Sequence, residues 1–399
     1  MRAFQNNTRR LCFINGLRFI NPLLPIYLLY ADHFGLNYEQ IFLTQVVFAI
    51  ALIIFEMPMG VMADCIGQKK ALLIGAYCAV IGTAAFTFIR TFQGFIIAEI
   101  SMAMSYAAFS GADTALLYMS LKQLGKLDQY VKKESELQAY GRYAEAISGI
   151  SCGLLMKLYL ILPAFISFIA SIIGLWITSH LTDAKQVKHF NQQNPIVPQI
   201  ITQLKKLIGQ LYHDVVSTKS NQLLPTFLYS AAISATTLST FWLLQVYYKE
   251  YAIPLIWLGV IWLLYHTTTG IASQLASYLM SKISNRILIL LLPLSLQIMS
   301  TIMSFAHSLW SLPFFFIASI VYGLKMPLLY TIIHEKVSDT ARSSMISLDS
   351  LLSRLFFCIT AIVIGYLLND NNLNNAFLFL MVPNIIAISL AVLMFRKSI

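Results

Sequence analysis

Charge is scarce in this sequence. Only 11% of its 399 residues are Asp, Glu, Lys or Arg, where a soluble domain carries about a quarter. With 58% of the residues hydrophobic, such a chain cannot cover its own surface in water. A soluble globular enzyme or binding module of this length is excluded. Cysteine is scarce too. Cys12, Cys65, Cys78, Cys152 and Cys358 are odd in number and form no CxxC pair, which excludes a disulfide framework and a zinc site. No other pattern calls for a cofactor. No phosphate-cradling glycine-rich loop ending in Lys-Ser/Thr is present, so direct drive by ATP is unsupported. The basic N-terminus, MRAFQNNTRR, leads into about twenty apolar residues with no small-residue cleavage site. It reads as an uncleaved first span and not as a signal peptide.

What the chain does have is apolar length. The mean hydropathy is +0.71, and a membrane span needs about 20 predominantly apolar residues. Twelve stretches qualify: 10–31, 39–62, 70–90, 93–118, 140–158, 160–181, 222–247, 254–278, 286–306, 309–333, 343–367 and 374–395. In hydrocarbon every backbone group must be satisfied within the protein, so each stretch is predicted as a helix. The fold class is therefore an all-α integral membrane protein. The polar segment 182–221, with Lys185, Lys188, Lys205 and Lys206, divides it into two six-helix halves, 1–181 and 222–399, joined by a linker in the cytoplasm.

The charges test this plan. With the N-terminus in the cytoplasm, the 27 Lys and Arg fall on the cytoplasmic side except Arg90, Lys157 and Lys249, and except Arg18, Lys325 and Arg354, which lie inside spans. That bias is the signature of orientation in a bilayer, with both termini cytoplasmic. It accounts for the net charge of +10 without nucleic acid as a partner.

The turn between the second and third spans reads FEMPMGVMADCIGQKKALLIG. A degenerate second copy, in which Gly60, Asp64, Gly67 and Lys69 meet Ser277, Ser281, Ser284 and Arg286, sits between the eighth and ninth spans. The pattern Gly60-x-x-x-Asp64-x-x-Gly67-x-Lys69-Lys70 resembles the loop signature of the major facilitator superfamily, with Cys65 where a basic residue is usual. Ser110 to Tyr118 (SGADTALLY) and Arg342-Ser343-Ser344, followed by Ser347, Ser350 and Arg354, are similar to a bacterial twelve-span branch of that superfamily. The arginine-rich motif common in its fourth span is missing; residues 94–99 read GFIIAE. The resemblance implies two six-helix bundles around a cavity that opens alternately to either side. It also implies a gating role for the loop, with Asp64 latched to the N-terminal end of span 11 and Lys69 and Lys70 at the cytoplasmic surface. Both lysines also read simply as topology signals.

Ionisable groups at span depth are costly and so point to function. At about 100° of rotation per residue, Tyr106, Ser110 and Asp113 share a face with Glu99. Asn15, Arg18, Asn21, Pro22 and Pro25 share another, and His266, Thr269, Gly270, Ser273, Gln274 and Ser277 a third. Arg354 shares a fourth with Ser343, Ser347, Ser350 and Gly365, while Asp349 points away from it. Helix packing is the better reading of the serines and glycines. The charged members suggest a shared polar pathway in which Glu99 or Asp113 carries a proton, with His266 as a second candidate. Arg18, Arg354 and Lys325 offer a cationic patch for an anionic substrate. An ion pair between Arg18 and a carboxylate is the competing structural reading. Glu56 is at span depth with its role open, and Arg142 with Glu145 reads as a surface pair.

These features predict a secondary transporter, acting as a monomer in the inner membrane of a bacterium. It moves a small organic molecule by alternating access in exchange for protons, with export as the first reading. Uptake or exchange of a carboxylate-bearing metabolite is the alternative. An intramembrane enzyme is more remote, since no nucleophile, base or metal cluster gathers at one depth.

Overall fold

Long apolar runs with few glycines become helices because no other single-segment structure closes its own hydrogen bonds in hydrocarbon. The computed structural model bears this out: among the described residues every regular element is helical. It describes residues 2–183, 220–305, 308–336, 342–369 and 372–396, with a few positions between 198 and 209. The linker expected at 182–221 thus falls largely outside the described residues.

In chain order the helices are α1 (Arg2–Phe19), α2 (Tyr27–His33), α3 (Tyr38–Ile66), α4 (Gln68–Phe88), α5 (Phe92–Phe109), α6 (Ala112–Gln123) and α7 (Tyr130–Leu158). Then follow α8 (Leu162–Ser179), α9 (Ser220–Glu250), α10 (Leu255–Lys282), α11 (Asn285–Phe305), α12 (Phe315–Lys336), α13 (Arg342–Asn369) and α14 (Leu373–Arg396). Eleven stretches among the described residues are long and apolar enough to cross a bilayer. The helix holding the expected fifth span, α7, has ample length at 29 residues but is too polar to join them.

Two of the expected spans are not continuous helices. The first ends as α1 at Phe19 and resumes through a 3-10 turn at Leu24–Ile26 into α2. Pro22 and Pro25 lie in this gap, where neither ring nitrogen can donate to a helical ladder. The fourth span breaks at Ser110–Gly111. Gly111 has φ +79°, a left-handed conformation that glycine adopts without the penalty of a Cβ. Proline alone does not break a span here: α3 runs unbroken through Pro58.

Contacts divide the chain into two compact units. The first comprises Met1–Tyr30, Val47–Ile208 and Leu255–Val260; the second comprises Ala31–Val46, Gly209–Pro254 and Ile261–Ile399. In the first unit α4 packs on α5 and α8, and α1 packs on α7 and α8. Its core gathers Leu11, Ile14, Leu72, Phe109, Leu116 and Leu137. In the second unit α9 is the central helix, packed on α12, α13 and α14. It is rich in buried hydroxyls, among them Thr226, Ser230, Ser234, Thr236, Ser239 and Thr240. Each buried hydroxyl in such an environment must find an acceptor or lose free energy. Several bond back to their own helix, as Thr240 does to the Thr236 carbonyl at 2.7 Å. Large apolar side chains such as Ile54, Phe88, Ile147, Trp176 and Ile359 stay exposed, as suits a surface solvated by lipid tails.

Candidate functional site

The two helix breaks of the first unit come together around Arg18. Arg18 stands in the last turn of α1 and Asp113 in the first turn of α6. Each charge complements its helix end, since a cation is favoured at a C-terminus and an anion at an N-terminus. The Arg18 guanidinium lies 3.8 Å from Asp113 Oδ2. It also covers the Phe109 ring at 3.9 Å and lies 5.7 Å from the Tyr106 ring. Asp113 Oδ1 accepts from the Thr114 backbone N–H at 2.7 Å. The pair is partly shielded, with side-chain exposures of 17% and 14%.

The rest of the predicted first-span face supports this pair. Asn15 is buried and donates to the Leu137 carbonyl at 2.8 Å, while Arg18 donates to Asn15 Oδ1 at 3.5 Å. The Asn21 backbone N–H donates to Ser148 Oγ at 3.3 Å, and its side-chain oxygen accepts from Ser167 at 3.4 Å. A cavity of about 40 Å³ adjoins these groups, lined by Arg18, Asn21, Tyr106, Phe109, Ser167 and Ser171. It has room for a few waters, and a drug-sized ligand needs roughly 300 Å³ or more. Glu99 is buried on α5, and its charge reaches Tyr106. Glu99 and Tyr106 do share one continuous helix, but the expectation that Asp113 continues their stripe is corrected by the break. A constant rotation cannot be carried across Ser110–Gly111, and Asp113 meets Tyr106 through Arg18 and not through a common face.

In the second unit, Lys325 on α12 and Asp349 on α13 are each only 4% exposed. Lys325 donates to Ser234 Oγ on α9, which donates to Ser353 Oγ at 3.0 Å. Asp349 is close enough to act on the Lys325 charge, yet its Oδ1 has no hydrogen-bond partner among the described residues. Arg354 donates to Ser350 Oγ at 3.3 Å. His266 is built into an aromatic group, its ring 4.5 Å from Trp262 and 6.4 Å from Phe241. Of its expected stripe, Thr269 hydrogen-bonds with Ser319 at 2.9 Å, whereas Gln274 is exposed.

The loop residues are less crowded. Gly60, Asp64 and Lys70 are exposed, and Lys69 is half-buried. A side chain at Gly60 would meet nothing within 4 Å, so that glycine permits no close approach. Gly67 differs: it has φ +100° and precedes α4. A Cβ there would stand 3.3 Å from the Asp183 carboxylate. The acid beside the N-terminal end of α4 is thus Asp183, which sequence reasoning passed over because it lies far along the chain. The side chains of Arg342, Ser343 and Ser344, the expected partners of Asp64, lie outside the described residues. Glu56 is exposed on α3. Arg142 and Glu145 form an outer ion pair at 2.9 Å. No cluster of three or more His, Cys, Asp or Glu that could hold a metal occurs among the described residues.

Residues 10–337 match the pattern of the Major Facilitator Superfamily. An uncharacterised MFS-type transporter of Methanocaldococcus jannaschii is 32% identical over 85 residues, a match that spans 21% of this chain and 21% of that protein. Among solved structures, a single-substitution mutant of the nucleoside transporter NupG superposes with a TM-score of 0.79 at 14% identity, covering 98% of this chain and 100% of that one. A D-xylose-proton symporter gives 0.68 at 11% identity, covering 99% and 98%. A POT family transporter in complex with 5-aminolevulinic acid gives 0.69 at 14%, covering 98% and 96%. At these identities the likeness is one of fold.

Proposed function

The chain belongs to the major facilitator superfamily, a multi-pass membrane transporter, and from that premise we propose that it exports a small organic molecule in exchange for protons. The observation that supports this reading is the meeting of Arg18 with Asp113 at two helix breaks. Discontinuous helices at membrane depth place charged helix ends where ions and substrates are handled. Asp113 is the proton carrier of the first half, and Arg18 is the cation that holds its charge when the proton has left. Glu99, buried behind Tyr106, relays the proton or structures the path. In this reading both termini are cytoplasmic, as the bias of the basic residues supports, and the chain acts as a monomer in the inner membrane of a bacterium. Segments 1–181 and 222–399 are the two bundles, 182–221 is their cytoplasmic linker, and Gly60, Asp64, Gly67, Lys69 and Lys70 form the gating loop.

Uptake or exchange of an anionic metabolite is the second reading. Its support is the number of cations at span depth, Arg18, Lys325 and Arg354, together with the D-xylose-proton symporter among the similar folds. Liposomes carrying the purified protein and an internal pH dye decide between them. Under an imposed pH gradient and a compound panel, export by exchange moves protons opposite to the compound, and symport moves both the same way. Flux of a compound with no proton movement in either direction would overturn proton coupling. Hydrolysis or group transfer without flux would overturn transport itself.

A further inference from the structure

The seam between α9 and α13 runs in parallel, as two hydrogen bonds fix its register. Ser234 pairs with Ser353 at 3.0 Å, and Ser239 pairs with Thr360 at 3.1 Å. Both partners rise together along the chain. One helical turn toward the N-termini, the same register sets Ser230 level with Asp349. At that level the hydrogen bonding stops. Ser230 Oγ and Asp349 Oδ1 are both buried without a partner among the described residues, as is Thr226 Oγ1 one turn further on.

Buried hydroxyls and carboxylates left unpartnered are costly, and an ionised carboxylate most of all. Lys325 could relieve Asp349 by pairing with it. Its ammonium instead rests on Ser234, and no ion pair within 4.0 Å joins the two among the described residues. This is the arrangement expected when Asp349 carries a proton and needs no counter-charge.

We infer that Asp349 is a proton-carrying carboxyl of the second unit and that Lys325 is its mobile counter-ion, parked on Ser234 while the proton is bound. On release, the O–H bond of the Asp349 carboxyl breaks and the proton passes to water. The Lys325 ammonium keeps its own three protons and moves from Ser234 to the carboxylate. Return of a proton sends it back. The two oxygens on Ser230 and Thr226 give the proton, or the water that takes it, a polar step along α9.

Among the described side chains the rivals are few. α12 contributes Lys325, Tyr322 and Tyr330 there, and α13 contributes Arg354, which donates to Ser350. α9 brings hydroxyls along this stretch, with Tyr229 committed to the Ile289 carbonyl at 2.8 Å. α14 brings no titratable side chain before Arg396. Glu39 sits at the far end of α13, where it accepts from Asn369 at 3.1 Å.

The inference rests on proton coupling, but its test needs no substrate. Infrared spectra of the full-length protein in lipid, recorded across pH, display the C=O stretch of each protonated buried carboxyl. Asp349→Asn is expected to remove one titrating band that survives in Asp113→Asn, and Asp349→Glu to restore a shifted one. Lys325→Gln removes the cation that favours the ionised form, so the band should persist to higher pH, with proton affinity raised at least about tenfold. If Asp349→Asn does not fold, the Asp349→Glu and Lys325→Gln spectra carry the test. An unchanged set of bands in Asp349→Asn, an unmoved midpoint in Lys325→Gln, or a midpoint that follows sodium concentration each overturns the assignment. Failure of proton-coupled flux with the band still assigned to Asp349 would instead count against the transport reading alone.

Discussion

Each unit buries a basic side chain near an acid, and the two pairs are built on opposite plans. Arg18 and Asp113 sit on broken helices. Helix ends stabilise both charges, a ring covers the guanidinium, and a water-sized cavity stands alongside. Lys325 and Asp349 sit on unbroken helices beside a seam of serines and threonines, where a hydroxyl accepts from Lys325 and Asp349 Oδ1 has no partner among the described residues. The first plan stabilises the ion pair whenever Asp113 is charged. The second leaves the charge of Asp349 uncompensated unless Lys325 moves or the carboxyl takes a proton. In the proposed proton cycle, the first plan supplies a carboxyl whose cation waits in place and the second a carboxyl whose cation must move.

Substitutions separate the two plans. The largest effect is expected for Lys325→Met, because removing one member of a buried pair costs about 3–5 kcal/mol when the other stays charged. The loss should appear in thermal unfolding in detergent at high pH and shrink as pH falls and Asp349 takes up its proton. A loss independent of pH would mean that Asp349 does not titrate. Arg18→Gln should cost less, about 1–2 kcal/mol, since Asp113 keeps its backbone donor and its helix end while only the pairing and the ring contact go. Equal costs for Lys325→Met and Arg18→Gln would erase the distinction drawn between the units.

Gly111→Ala tests the break itself. Forcing a Cβ onto φ +79° should destabilise by about 1 kcal/mol and draw Asp113 away from Arg18, which distance measurements between spin labels on α1 and α6 would detect. Ser353→Ala is the smallest expected change. It removes one interhelical hydrogen bond, worth about 0.6 kcal/mol in a membrane bundle, and should shift the pH dependence of Lys325→Met little.

Much of the architecture was legible from apolar runs and charge bias, because lipid allows few alternatives to a helix. The site was legible residue by residue but not as an arrangement. Rotating by about 100° per residue assumes a continuous helix, and span 4 is broken by a Ser-Gly pair that is itself a turn signal. The same rotation compared Asp349 with Arg354 on its own helix and set it aside. Its counterpart, Lys325, lies on another helix, and a single-helix projection carries no information about which neighbour a face meets. Asp183 was missed for the same reason, since only the fold brings it to Gly67.

The polar character of α7 bears on how the protein is made. This helix is not among the stretches apolar enough to enter lipid by themselves, and each charge at a helix centre adds about 2.5–3.5 kcal/mol to insertion. Two of its polar groups are answered by the first span: the Leu137 carbonyl accepts from Asn15, 122 residues earlier, and Ser148 accepts from the Asn21 backbone and donates to the Phe19 carbonyl. Insertion of the fifth helix during synthesis is therefore expected to depend on the first remaining within reach, and lesions in α1 should surface as failures of α7 to enter the membrane.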